Sequence, residues 1–334
     1  MNQQQKRISA ILIAVLLIVI GFIRLSPQDD YGSKDSGPAI EFQIADGELG
    51  STIASNLEAA GVIKSAKKFV EEFTKDSAAK GISPGSHSIQ TRIPVKTAII
   101  QLLDPKRLNN VVVVKEGSTF SDVVAILKKN DHISRANFDL SGVTALYPKI
   151  SKSLEGSLFP AYYSFESNTS LADAISTMVD KAKSEYAALG IAAGFGKYSS
   201  YDLLKIASMV QIEGDPKSFA KVARVIYNRL EIGMPLQLNS TVQYAANLRG
   251  KITLSNKATQ INSPYNTYRR VGLPPTPISN PSRDALKATM KPASGDWLYF
   301  ITVAPGDTRF TKDFKEFSLW NTEFNNNVAN GKFK

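Results

Sequence analysis

A chain of 334 residues, 43% of them hydrophobic, holds enough apolar material for two buried cores. It has no cysteine, which excludes a disulfide scaffold and any thiolate metal site, and its two histidines, His87 and His132, stand far apart in sequence. With its histidines isolated, no bound metal or other cofactor is expected, and the formal charge of +10 comes from scattered Lys and Arg, with no Arg-rich run and no aromatic–basic interleaving, so no nucleic acid is expected either. A basic surface of this kind suits an anionic wall polymer or a lipid surface, and a merely solvated basic face is the plainer alternative.

Lys6 and Arg7 precede an apolar run from Ile8 to Ile23, closed by Arg24 and Leu25. About sixteen residues at ~1.5 Å each span ~24 Å, which snorkelling of the flanking cations extends to a membrane width. No small-x-small cleavage site follows, so the run reads as an uncleaved single-pass anchor rather than a signal peptide. Lys6 and Arg7 keep residues 1–7 in the cytoplasm and put everything after residue 25 outside. Residues 26–38 (Ser26-Pro27 through Gly37-Pro38) are rich in Gly, Ser, Asp and Pro and read as a linker.

An internal repeat follows. Phe42-Gln43-Ile44-Ala45-Asp46-Gly47 leads into Thr52-Ile53-Ala54-Ser55-Asn56-Leu57, then Gly61-Val62-Ile63 and Phe69. Val112-Val113-Val114-Lys115-Glu116-Gly117 leads in the same way into Asp122-Val123-Val124-Ala125-Ile126-Leu127, then His132-Ile133 and Phe138. Each copy predicts a strand, a turn at glycine and an amphipathic helix with apolar positions three and four apart. Between the copies, Gly85 to Ile89 and Val95 to Leu103 predict a strand and a helix. An aromatic stretch, Leu154 to Phe165, precedes a helix from Leu171 to about Glu185. Beyond it, helices alternate with long Pro- and Asn-rich loops of the kind that serve a site. These elements set residues 39–150 apart as duplicated α+β modules and 151–334 as a mostly helical α+β domain.

The segment Leu203 to Gly214 has helical periodicity, with Leu203, Ile206, Ala207 and Val210 on one stripe. Glu213, three residues after Val210, falls on that apolar stripe. A carboxyl placed there is desolvated, and Gly214 ends the helix so that Glu213 lies near the negative end of its dipole. Both effects favour the protonated form that a general acid needs. The other reading is a terminal Glu that reaches into solvent. Asp215-Pro216 predicts the N-cap and first residue of a second helix carrying Val222, Ala223, Ile226 and Leu230, ending at Gly233. Downstream, Gln237, Asn239, Ser240, Thr241 and Tyr244, then Tyr265, Asn266, Thr267 and Tyr268, combine amides, hydroxyls and rings suited to carbohydrate, although Asn, Ser and Pro are also turn residues.

These residues closely resemble the MltG/YceG-like endolytic murein transglycosylases. The resemblance rests on Ala207-Ser208-Met209-Val210-Gln211-Ile212-Glu213, Val222 to Leu230, Gly233-Met234-Pro235-Leu236-Gln237, Ser263-Pro264-Tyr265-Asn266-Thr267-Tyr268, Gly272-Leu273-Pro274-Pro275 and Leu298-Tyr299-Phe300, in order and spacing. It extends to Leu154-Glu155-Gly156 with Pro160 and to the two modules, which it identifies as LysM-like. It places the family's catalytic glutamate on Glu213, with Gln237, Asn239, Thr241, Tyr265, Asn266, Thr267 and Tyr268 expected to bind substrate. Departures are Gln211 where many members have Glu, Asn239-Ser240 for Asp-Pro, Ala161 for Asp and Thr276 for Gly.

The resemblance implies non-hydrolytic cleavage of the MurNAc-β-1,4-GlcNAc bond of peptidoglycan, leaving anhydro-MurNAc ends, without a cofactor and in association with peptidoglycan synthases. Two other readings remain: a non-catalytic peptidoglycan-binding scaffold, and a muramidase that uses water.

Overall fold

The computed structural model describes residues 29–333 apart from 46, 135–138, 167, 249–253 and 256. The expected cytoplasmic tail and membrane anchor therefore lie outside the described residues, as do Asp46 and Phe138 of the repeats. Among the described residues no helix is long and apolar enough to cross a membrane. The architecture is α+β, with ten α-helices and three two-stranded antiparallel sheets among the described residues. The chain divides into two compact units at Asn109–Asn110.

The first unit contains β1 (Ala39–Ile44), α1 (Gly50–Ala59), α2 (Ala66–Lys75), β2 (Gly85–Gln90) and α3 (Val95–Leu103). Strands β1 and β2 pair with Ala39 opposite Gln90 and Ile44 opposite Gly85. The strand period of two turns Phe42 and Ile44 inward, while Ile53, Ala54 and Leu57 are the buried side of α1. They meet Phe69, Ile89, Ile99 and Leu102 in one core. The later part of the expected linker is tied down. Asp30 Oδ1 accepts the Val95 N–H (3.0 Å), satisfying a donor at the start of α3, and Lys68 Nζ lies 3.4 Å from its carboxylate. His87 is a buried strand residue, with Nε2 2.8 Å from the Ser83 carbonyl oxygen.

The second unit opens with the second repeat: β3 (Val111–Val113), Gly117 at φ +77, and α4 (Phe120–Lys129), started by a Thr119–Asp122 capping box. Its strand pairs with β4 (Tyr162–Ser164), Val112 opposite Tyr163. Val112, Val114, Val123, Leu127 and Ile133 share a core with Leu158, Tyr163, Phe165 and the inner face of α5 (Leu171–Ala188). The compact units thus do not divide near residue 150, as the repeat suggests. A three-residue strand needs a partner, and the partner of β3 comes from beyond that point.

Next come α6 (Ser200–Glu213), α7 (Phe219–Glu231), α8 (Asn239–Ala246), α9 (Arg283–Met290), the hairpin β5 (Tyr299–Ala304) and β6 (Asp307–Thr311), and α10 (Phe314–Ala329). Helix α6 carries Leu203, Leu204, Ile206, Ala207, Met209 and Val210 into a core shared with Val222, Ala223 and Ile226 of α7 and Leu286 of α9. Fully buried Asn280 buckles this core to the second repeat. Its side chain accepts from Leu158 N–H (2.8 Å) and donates to Ser118 O (2.8 Å), while its own carbonyl receives Gly117 N–H (2.9 Å).

Candidate active site

Ser199 and Asp202 start α6 with a capping box, and the helix runs to Glu213. Gly214 ends it in extended geometry (φ −123°) and not in the left-handed one. The fit there is close: a Cβ would meet Ser218 Oγ at 3.0 Å, Phe219 at 3.1 Å and Val222 at 3.2 Å, so these side chains would have to give by a few tenths of an ångström. Asp215 is not the N-cap of α7. Its Oδ1 accepts the Lys217 (2.9 Å) and Ser218 (3.0 Å) amides, closing a turn around Pro216, and Ser218 precedes the helix.

Glu213 is half-buried and stands on the wall of a cleft of about 510 Å³. Its Oε1 accepts the Ser240 N–H (2.9 Å) from the first turn of α8. Burial pushes its pKa above the ordinary glutamate value; hydrogen bonding from Ser240 and the nearby Arg229 charge pull the other way without cancelling the shift. Arg229 lines the same cleft, its Nε donating to Leu298 O (2.6 Å) and its guanidinium lying 5.4 Å from the Tyr299 ring centre.

The expected substrate residues separate into two groups. Gln237, Asn239 and Tyr268 line the cleft with Glu213. Gln237 is exposed and held at φ +49, a left-handed conformation costly for a side chain of its kind, with its N–H on Thr267 O (3.0 Å). Tyr268 donates its hydroxyl to Asn239 Oδ1 (2.6 Å), and burial followed by the Glu213 charge pushes its pKa up to about 12. Thr241, Asn266 and Thr267 instead form buried scaffolding. Thr241 and Thr267 hydroxyls meet at 2.9 Å, and Thr267 Oγ1 accepts Leu238 N–H (3.0 Å). Asn266 donates to Thr259 O and Ile261 O. Tyr265 bonds Thr276 Oγ1 (2.8 Å) and lines another cavity with Tyr244 and Glu155.

The model of the YceG-like family matches residues 42–322. The chain belongs to the YceG-like family. An endolytic murein transglycosylase of Bacillus subtilis (strain 168) is 33% identical over 305 residues, covering 85% of this chain and 84% of the relative. One from Streptococcus pneumoniae serotype 2 (strain D39 / NCTC 7466) is 35% identical over 206 residues, 56% of this chain but 36% of that longer protein. The crystal structure of the YceG-like protein lmo1499 from Listeria monocytogenes superposes with a TM-score of 0.54 at 25% identity, over 85% of this chain and 99% of that one.

Two departures of this YceG-like chain acquire structural roles. Gln211 Oε1 accepts Ser282 N–H (2.8 Å) at the head of α9, and Thr276 supplies the hydroxyl that meets Tyr265. The YceG-like cleft also contains residues that the sequence reading did not select: Arg229, Tyr299, Thr302, Phe314, Phe317, Asn321 and Phe324. For α10 the only sequence signal is the spacing of 314, 317, 321 and 324, three and four apart, with Asn321 breaking an otherwise aromatic stripe.

Proposed function

We propose that this chain is an endolytic murein transglycosylase that cuts the MurNAc-β-1,4-GlcNAc bond of peptidoglycan and leaves anhydro-MurNAc ends. One observation carries the mechanism: Glu213 is the sole carboxyl among the described residues lining its cleft, and its pKa is raised. An ordinary glycosidase uses two carboxyl groups, one to protonate the leaving oxygen and one to activate water or attack. A single carboxyl suffices when the nucleophile belongs to the substrate itself.

The Ser240 N–H occupies Oε1 as a donor, so neutral Glu213 carries its proton on Oε2. That proton passes to the glycosidic oxygen as the C–O bond breaks, and oxocarbenium character develops on the muramyl ring. The carboxylate, stabilised by the Ser240 N–H and Arg229, then takes the proton of the same sugar's 6-hydroxyl as its oxygen closes on C1. Glu213 ends protonated and the product is the 1,6-anhydro sugar. The name borne by the Bacillus subtilis relative, which this chain matches over most of both lengths, supports the same reading.

The run Ile8 to Leu25, preceded by Lys6 and Arg7, supports a single-pass membrane anchor with the catalytic unit outside the cytoplasm. The two strand–glycine–helix copies support LysM-like modules that bind the glycan strand, and the family resemblance adds peptidoglycan synthases as partners. The deciding experiment is mass spectrometry of glycans after incubation with the protein. Anhydro ends are expected. Reducing ends would replace the reading with a water-using muramidase, and intact strands would leave a binding protein.

A further inference from the structure

The C-terminal helix forms one side of the cleft that holds Glu213. Asp313 caps it, accepting the Lys315 and Glu316 amides, so the helix starts at Phe314. Phe314, Phe317, Asn321 and Phe324 then share one face, and all four line the cleft. Asn327, buried, fixes the helix to β5 by donating to Val303 O (2.7 Å). Packing alone would bury such an aromatic face, yet Phe314 is 61% exposed. Tyr299 of β5 joins it, ring centres 5.6 Å from Phe314 and 5.2 Å from Phe317, the latter pair stacked at 26°. Amides border these rings: Asn321 on the helix, Gln237 and Asn239 on the catalytic side.

Flat apolar faces bordered by amides match a ring that is apolar on its C–H face and polar at its rim. We propose that Phe314, braced by Phe317 and Tyr299, is the platform that seats a pyranose ring of the glycan strand beside the scissile bond, with Asn321 bonding its polar substituents. This rests on the transglycosylase reading for the identity of the glycan. A protein or lipid partner would engage the stripe from outside, whereas these rings face the cleft shared with the acid.

The test titrates uncross-linked peptidoglycan glycan strands against the full-length Glu213→Gln protein, in which no cleavage interferes. Phe314→Ala removes an exposed ring and Asn321→Ala an exposed amide, so thermal melting should not move. Each is expected to weaken strand binding, Phe314→Ala by roughly tenfold, which is about 1.4 kcal/mol, and Phe314→Trp should restore it. Binding by Phe314→Ala within about twofold of the parent would overturn the platform, as would a parent that does not bind the strands. Product analysis of the unsubstituted enzyme separates the two readings. Anhydro ends with unaltered Phe314→Ala binding would sink the platform alone; weakened binding without anhydro ends would sink the transglycosylase reading alone.

Discussion

Glu213 lies between two helix ends with opposite effects. It terminates α6, whose carbonyl end disfavours a negative charge, and it accepts an N–H from the first turn of α8, which favours one. Burial decides the balance, and the pKa rises. A group whose folded pKa exceeds its unfolded value contributes stability that is complete below the unfolded value and lost as pH rises through the folded one. Glu213→Gln retains the acceptor for Ser240 and has no charge to desolvate. Its melting temperature should therefore gain on that of the unsubstituted protein as pH climbs past the raised pKa, and the gap should close in acid. Release of anhydromuropeptides should fall at least ~10²–10⁴-fold, since both proton transfers are lost. In the active enzyme, turnover should decline with rising pH through the same raised value. An equally active Glu213→Gln protein would mean that another group carries the proton. Asp215→Asn is the control. Its oxygen would still accept the Lys217 and Ser218 amides, so a cost below about 1 kcal/mol and unchanged products are expected from urea unfolding and mass spectrometry.

At the scale of elements, the joints that hold the catalytic helices are polar and buried. Asn280→Ala leaves the buried Leu158 N–H without its partner, while Ser118 O keeps the Asn280 backbone N–H (2.8 Å), and a cost of about 1–3 kcal/mol should appear in urea unfolding. Glu155 makes a second joint, accepting Phe120 N–H at the head of α4 (3.0 Å) and the Tyr244 hydroxyl of α8 (3.1 Å). The Asn280 joint does not announce itself in sequence, because a buried Asn in a Pro-rich loop has no period, and Glu155 is marked there only by the family resemblance. The strand–glycine–helix repeats and α3, α6 and α7 are legible, since each has a regular apolar spacing. Helix α2 is not, because Lys67, Lys68, Glu71 and Glu72 surround its one buried residue, Phe69. For the site, periodicity placed Glu213 on the buried stripe, and composition gathered Gln237, Asn239 and Tyr268. The same composition also selected Thr241, Asn266 and Thr267, since a hydroxyl or amide that ties a loop together reads like one that binds a sugar. The aromatic wall of α10 is not legible as part of a site, because an aromatic stripe at helical spacing is ordinarily core.

At the scale of the whole molecule, the repeat and the compact units do not coincide, and this bears on how the chain can be cut. Removal of residues up to 109 takes away one unit with its own core. Removal up to 150 also takes Val112, Val114, Val123, Leu127 and Ile133 from the core shared with α5, and leaves β4 without its partner. Burying each such side chain contributes roughly 1.5–3 kcal/mol, so the five together amount to roughly 7–15 kcal/mol. That equals the entire stability of an ordinary domain. A fragment of residues 110–334 should therefore unfold in one cooperative transition and keep the ability to release anhydro ends, with weaker sedimentation on insoluble peptidoglycan if the first module contributes to binding. A fragment of residues 151–334 should lack a cooperative transition in circular dichroism melting and be inactive. Cooperative unfolding of the shorter fragment would show that the second repeat is an appendage of the catalytic domain and no part of its core.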